Sequence, residues 1–340
     1  MNSSRKSALC ITMIMTVILL GGWCETAECV TFSISPVKKI ITAYDGYPLI
    51  TYRLKLTPDF FQGIPPKSIV FYIQDTSYES SLSKIGVLAG SVAAGSSVIM
   101  LESRGVGEDK KIDLDTCYKY SERETRVKDH LKVIDEYLKK APPNVPVVLM
   151  GGNDGGNIAI SVAKREPRVT HLILLSSGGG WAQAEEMEFL LSKTGEFADA
   201  ADPDELHRVF DDIKAHPDSL NLWHGRPYRG WSSYLWVRPI DELATLDIPI
   251  FLAQGKRDEN IPVESARAVK NKFDELGKTN LIYKEYDFNS PFAFLQGGLL
   301  MSPLIEVDLL HWMKSYGIVT EEERKSYEKR VKTAHPEFFE

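Results

Sequence analysis

The sequence predicts an α/β fold: a mostly parallel sheet with helices on both faces, opening with an antiparallel hairpin. Three observations carry this. Short apolar runs alternate with helix-spaced segments from about residue 68 to about residue 316. The runs "SIVFYIQ", "VPVVLM", "HLILLSS" and "IPIFLAQ" are apolar at successive positions, the mark of strands covered on both sides. Before them, "KKIITAYDGYPLITYRLKL" reads as two β-rich stretches meeting at Asp45-Gly46, a strong hairpin signal.

The chain begins differently. "MNSSRK" carries two positive charges, and Ala8 to Trp23 is uncharged and mostly apolar. Sixteen residues is short for a membrane span and suits the hydrophobic region of a secretory signal. Residues 1–29 are therefore set apart as a signal peptide directing the chain to a secreted or periplasmic location. The alternative is an uncleaved membrane anchor. Glu25 and Glu28 obscure the cleavage site around Ala27, and bulky Trp23 before Cys24 argues against a lipoprotein signal. Export makes the cysteines worth counting, and beyond Cys10 and Cys24 only Cys29 and Cys117 remain. A Cys29–Cys117 disulfide is one reading, and two free thiols the other.

The first core part is expected over 30–180. After the hairpin, "SIVFYIQ" and "SSVIMLE" read as strands, with "SSLSKIGVLAGSVAAG" at helical spacing between them. Ser121 and Glu124 have the spacing of a capping box for a helix with Val127, Leu131, Ile134 and Leu138 on one face. Pro142-Pro143 closes it. "VPVVLM" is then a strand, Gly156 to Arg165 a helix, and "HLILLSS" a strand.

Residues 181–246 break the alternation. They are helical in pattern and rich in aromatics, including Trp223, Tyr228, Trp231, Tyr234 and Trp236, as a helical cap inserted between two strands would be. The second core part, 247–318, resumes with the strand "IPIFLAQ", a helix from Val263 to Leu276, the strand "LIYKEYD" and a last helix from about Pro303 to Tyr316. The charged tail, 319–340, reads as a solvated helix. No internal repeat is present.

Composition narrows the function classes. With 43% hydrophobic and 26% charged residues in a 340-residue chain, a disordered or fibrous protein is excluded. A net charge of −7 and a pI of about 5.6 give no basic footprint for nucleic acid. No paired Cys or His spacing suggests a structural zinc, and no phosphate-loop lysine follows the glycine-rich "SSGGGW". Neither a metal nor a cofactor is expected.

The stretch "VVLMGGNDGGNIA", Val147 to Ala159, runs an apolar strand through glycines into a helix. Here the sequence resembles the α/β-hydrolase superfamily, over roughly residues 35–316, in strand order, cap position and final helix. The match is sharpest at "MGGNDGG", which fits the family's G-x-S-x-G turn through Gly151, Asn153 and Gly155. The resemblance puts Asn153 in the nucleophile's place. A carboxamide nitrogen is delocalised into its carbonyl and offers neither a labile proton nor a usable lone pair, so it cannot attack. It tolerates positive φ well, which that turn requires. A register shifted by one would put Asp154 forward as a carboxylate nucleophile, as in haloalkane dehalogenases.

The resemblance also implies an acid after the next-to-last strand, where "FLAQGKRDENIPV" supplies Asp258, with a helix-capping role near Pro262 as the plainer alternative. A histidine is expected after the last strand, but "YDFNSPFAF" has Ser290 in its place. No histidine occurs between His224 and His311; His311 reads as a packed or rim residue, and His335 lies in the tail. The oxyanion loop falls on Asp75 and Thr76, with a second donor from the backbone of Asp154. Such donors are worth about 2.7–4 kcal/mol each, and an Asp75 carboxylate facing them would oppose that stabilisation, whereas an Asp75 turned away would cap a helix beginning near Tyr78. Removing serine or histidine from a working triad costs on the order of 10⁶ in kcat. The expectation is a degenerate triad.

Other polar residues have structural readings beside functional ones. Arg104 either meets a ligand or braces its loop, and Arg226 and Arg229 either receive an anion or sit solvated on the cap. Trp181 and Trp231 are candidates to line a small-molecule pocket under the cap, for an apolar or acyl-type ligand. The competing functions are a non-cleaving binding protein, an active hydrolase using Asp154, and an interaction module read through the cap surface. A membrane enters only if residues 1–29 stay attached.

Overall fold

A computed structural model describes residues 33–57, 62–194, 202–289, 292–295 and 298–339. Residues 1–29, the segment expected to be a signal peptide and including Cys29, and Ser290 lie outside the described residues. In chain order the elements are β1 (Ser33–Thr42), β2 (Pro48–Thr57), β3 (Ile69–Ile73), α1 (Ile85–Ala93), β4 (Ser97–Leu101), α2 (Leu114–Lys119), α3 (Arg123–Leu138), β5 (Val147–Gly152), α4 (Asp154–Arg165) and β6 (His171–Leu175). The inserted segment holds α5 (Gln183–Thr194), α6 (Pro203–Ala215), the hairpin β7 (Leu222–Trp223) and β8 (Arg226–Pro227), α7 (Tyr228–Tyr234) and α8 (Pro239–Leu243). Then come β9 (Ile250–Gly255), α9 (Val263–Glu275), β10 (Leu281–Tyr286), the short pair β11 (Phe292–Leu295) and β12 (Gly298–Met301), α10 (Pro303–Ser315) and α11 (Glu321–Ala334).

Among the described residues the main sheet has eight strands in the order β1-β2-β4-β3-β5-β6-β9-β10. β1 and β2 pair antiparallel through the Asp45-Gly46 turn, β2 meets β4 antiparallel, and the remaining pairings are parallel. Alternation along each central strand divides the core. Val70, Tyr72, Val148, Met150, Ile173 and Leu175 face a layer closed by Leu88, Leu309 and Trp312 of α1 and α10. Their neighbours Ile69, Phe71, Leu149, Leu172 and Leu174 face the opposite layer, closed by Val127 and Ile134 of α3, Ile158 of α4 and Val269 of α9. This is why β3, β5, β6 and β9 are buried throughout. The cap has a core of its own around Met187, Leu206, Phe210, Trp231 and Leu235.

Three expectations need correcting. Ser121 and Glu124 form no capping box: the cap position of α3 is Glu122, Ser121 Oγ donates to the Tyr118 carbonyl, and Glu124 pairs with Arg165 across to α4. The helix after β5 starts at Asp154, two residues before the glycine expected to open it. The tail is docked, not fully solvated, since Tyr327 and Val331 of α11 are buried against Leu310 of α10, and Thr320 and Glu323 supply the capping box. No described helix is long and apolar enough to cross a membrane.

Candidate functional site

The parallel strands aim their C-terminal ends at one edge of the sheet, and the turn between β5 and α4 stands there beside the loop after β3. Asn153 occupies the turn at φ +50°, ψ −132°, a conformation L-residues adopt only under constraint. Its N–H donates to the Leu175 carbonyl at 3.1 Å, and its carbonyl accepts from Gly156 N–H at 3.0 Å. The flanking glycines explain the tightness. A Cβ on Gly151 would lie 2.6 Å from the Gly155 carbonyl oxygen, and one on Gly155 2.4 Å from that of Ile73. The helix is thereby pressed onto β3 and the turn is forced outward.

Asn153 is half-buried and its Nδ2 donates to Asp75 Oδ2 at 3.2 Å. Asp75 thus faces the turn, the orientation that opposes an oxyanion. The next residue closes the site further. Thr76 N–H, a donor the oxyanion loop was expected to offer, points to Asp154 Oδ1 at 3.0 Å, and the Thr76 hydroxyl bonds Asp154 Oδ2. Arg126 of α3 reaches the same carboxylate at 3.3 Å with Nη1, which also donates to Thr76 Oγ1 at 2.8 Å and Tyr234 Oη at 2.9 Å. Arg126 Nη2 holds the Gln74 carbonyl. Arg226, from the cap hairpin, brings Nη2 to 3.7 Å from Asp154 Oδ2. A carboxylate of the chain itself lies against the loop donor, with guanidinium charge around it.

Asp258 stands in the loop after β9. Its Oδ1 accepts from Asn260 N–H at 3.0 Å and Ile261 N–H at 3.1 Å, and its Oδ2 from Gln254 Nε2 at 3.3 Å. These bonds shape the turn ahead of α9 and are not a helix cap, since the N-cap position is Pro262 and no side chain caps the helix. Burial raises its carboxyl above the ordinary range, while the hydrogen bonds pull the other way. Glu186 of α5 is buried close enough to feel the Asp258 charge; burial first, then that neighbour, push its carboxyl up to about 8.

All seven histidines of the chain fall within the described residues, and none is among these partners of Asp258. His311 is exposed on α10, where its Nε2 lies 2.9 Å from Arg324 Nη1 and 3.3 Å from Glu328 Oε2 of α11. His130 is buried beside Arg126, and desolvation, then that positive charge, depress it to about 3, so it stays neutral. Trp231 is buried in the cap core, its Nε1 donating to the Trp223 carbonyl at 2.8 Å, while Trp181 packs edge-on against Phe189 at 5.2 Å. Arg104 braces its loop through Asp129 and Asp45 and lies over the Tyr47 and Tyr120 rings. Cys117 is a buried free thiol, raised to about 11 by desolvation.

Sequence reasoning missed Arg126 and Glu186. Arg126 had a readable signal: Arg126, His130 and Val133 share one helical stripe with Arg123 and Asp129 nearby, so polar residues enter the face that packs on the core. Glu186 lies in a run of acids that reads as solvent-facing, and only the docking of the cap reveals its burial.

No protein-family model and no curated protein matches the sequence. Solved structures do match. Est1E from Butyrivibrio proteoclasticus, determined with ferulic acid bound, aligns with a TM-score of 0.53 at 20% identity over 73% of this chain and 89% of its own. A thermostable carboxyl esterase from Bacillus coagulans, in complex with glycerol, aligns with a TM-score of 0.53 at 17% identity over 83% and 96%. The Pyrococcus furiosus esterase Pf2001 aligns with a TM-score of 0.51 at 14% identity over 84% and 88%. Strand order, the glycine-flanked turn after β5 and these alignments agree: the chain has the α/β-hydrolase fold.

Proposed function

We propose that this chain is an exported protein of the α/β-hydrolase fold that binds without cleaving, its cleft under the cap serving a small ligand or a partner. The carrying observation is the pairing of Asn153 with Asp75 beside the pairing of Thr76 N–H with Asp154. The turn presents no attacking atom, and the loop donor that would stabilise an oxyanion is already taken by a carboxylate. The engagement of both Asp154 oxygens by Thr76 and Arg126 weighs against Asp154 as a nucleophile, since those bonds must break before it attacks. Export rests on the charged and then apolar start of the sequence.

A fluorophosphonate probe tests the reading, because it forms a covalent adduct only with an activated serine-type nucleophile. Intact-mass analysis after incubation is expected to show the unmodified chain. A single-site adduct that denaturation before labelling abolishes would overturn it.

A further inference from the structure

Glu186 sits where the cap meets the core. It lies in the first turn of α5, the helix that opens the cap. Ala184, Met187 and Leu191 of that helix face the cap's own core. Glu185 turns outward, accepting from Ala182 N–H at 2.8 Å and from Arg238 Nη2 at 2.9 Å. Glu186 turns the other way and is only 6% exposed. A Cβ on Gly178 would lie 2.5 Å from Glu186 Oε1, 2.8 Å from Ile261 Cγ2 and 2.9 Å from Ser265 Oγ. The carboxyl is thus seated on bare backbone, between the loop after β6 and the turn ahead of α9.

The loop that joins core to cap has the backbone of a hinge at this point. Ser176, Gly178 and Gly179 take φ of +44°, +55° and +95°, and the two glycines can change conformation at little steric cost. Few bonds hold the loop to the core: Gly178 N–H donates to Gln254 Oε1 at 3.3 Å, and Gly180 and Trp181 N–H to Ser265 Oγ at 3.2 and 3.3 Å. The charges acting on Glu186 are acidic on both sides. Asp258 stands on the core side and Glu185 on its own helix, with the Ser265 hydroxyl and the Gly179 N–H as polar neighbours. Nearby cations have other partners. Arg238 is drawn to Glu185, Lys193 of α5 to Glu264 of α9, Arg257 to Asp287 and Arg267 to Glu285. Ionised in its seat, Glu186 would lose water and face Asp258 with only those two polar neighbours to offset the cost.

We propose that Glu186 is a pH-operated latch between cap and core: protonated, it keeps α5 seated on Gly178 and Ser265, and on losing its proton it is expelled to water, so that α5 lifts about the glycine hinge. The latch goes beyond the binding reading and operates whether the cleft binds or cleaves. Burial above all, with the Asp258 charge adding to it and the Ser265 bond opposing, raises the seated carboxyl to about 8, against an ordinary 4.5 in water. The seated form therefore holds a proton that the lifted form releases. Closure is firmest below about pH 4.5, weakens as pH rises toward about 8 and weakens no further above it.

Hydrogen–deuterium exchange of the full chain at pH 6, 7 and 8, corrected for the intrinsic pH dependence of amide exchange, tests the latch. Protection of α5, Gln183–Thr194, is expected to fall at least tenfold from pH 6 to pH 8, while that of α3, Arg123–Leu138, changes less than threefold. Glu186→Gln, which keeps the shape and cannot ionise, is expected to hold α5 within threefold across the same range. A fall in α5 that persists in Glu186→Gln, a flat α5 profile in the unaltered chain, or a fall that α3 shares would each overturn the latch. Should Glu186→Gln lose its near-UV circular dichroism, Glu186→Met, similar in length and without a titrating group, takes its place under the same outcomes. No substrate enters this test, so hydrolysis found separately would defeat the non-cleaving reading and leave the latch standing.

Discussion

Asn153 donates its carboxamide to Asp75 across 3.2 Å, joining the turn after β5 to the loop after β3. Here they satisfy each other, and the adjoining Asp154–Thr76–Arg126 cluster extends the same self-contained network.

From that network a structural role is expected of Asp154. Asp154→Ala leaves Arg126, only 13% exposed in its side chain, without its carboxylate. Removing one partner of a buried pair costs about 3–5 kcal/mol, and the urea unfolding midpoint is expected to fall accordingly. A loss below about 1 kcal/mol would show that the cluster does not hold the turn.

Steric fit at the turn gives a second expectation. A Cβ on Gly155 meets the backbone oxygens of Ile73 at 2.4 Å and Gln74 at 2.6 Å, neither of which can swing aside. Gly155→Ala is expected to destabilise by about 3 kcal/mol, at the upper end of overpacking costs. Gly277→Ala is a useful contrast: it has open space but a φ of +65°, so its cost is backbone strain alone, about 1 kcal/mol. Equal losses for the two would contradict the close helix–strand approach.

Burial of Glu186 sets a pH dependence. Its folded carboxyl titrates at about 8 against an ordinary 4.5, so the folded state holds a proton that the unfolded state releases between those values. Stability from this group is present below about pH 4.5 and is lost as pH rises through about 8. Glu306, raised to about 7 by burial, acts with the same sign. Glu186→Gln, which mimics the protonated form, is expected to match the parent at pH 5 and exceed its Tm by about 3 °C or more at pH 8.5. A parent whose Tm advantage over the variant grows with pH would have the sign reversed.

Much of the sheet was legible because its signal is local. Alternating buried strands, the Asp45-Gly46 hairpin and the glycines around Asn153 each encode their geometry in a few neighbouring residues. Positive φ at Asn153 follows from the turn it occupies, and the structure has it. The capping of α3 was misread because Ser121 bonds backward to Tyr118 and Glu124 across to Arg165, choices that tertiary neighbours decide. The same holds for the site. Asn153, Asp75 and Asp154 could be picked out one by one, but Thr76 meeting Asp154 and Arg126 reaching both depend on three loops and a helix converging. Ser290, the position matched to the family's histidine, lies outside the described residues.

The most direct test of the central claim is the steady-state hydrolysis of p-nitrophenyl acetate by the unaltered chain, run beside Asp258→Asn. With no attacking atom at the turn and the Thr76 N–H taken by Asp154, the expected rate equals that of buffer for both proteins. Saturable turnover by the unaltered chain that Asp258→Asn abolishes would contradict the account.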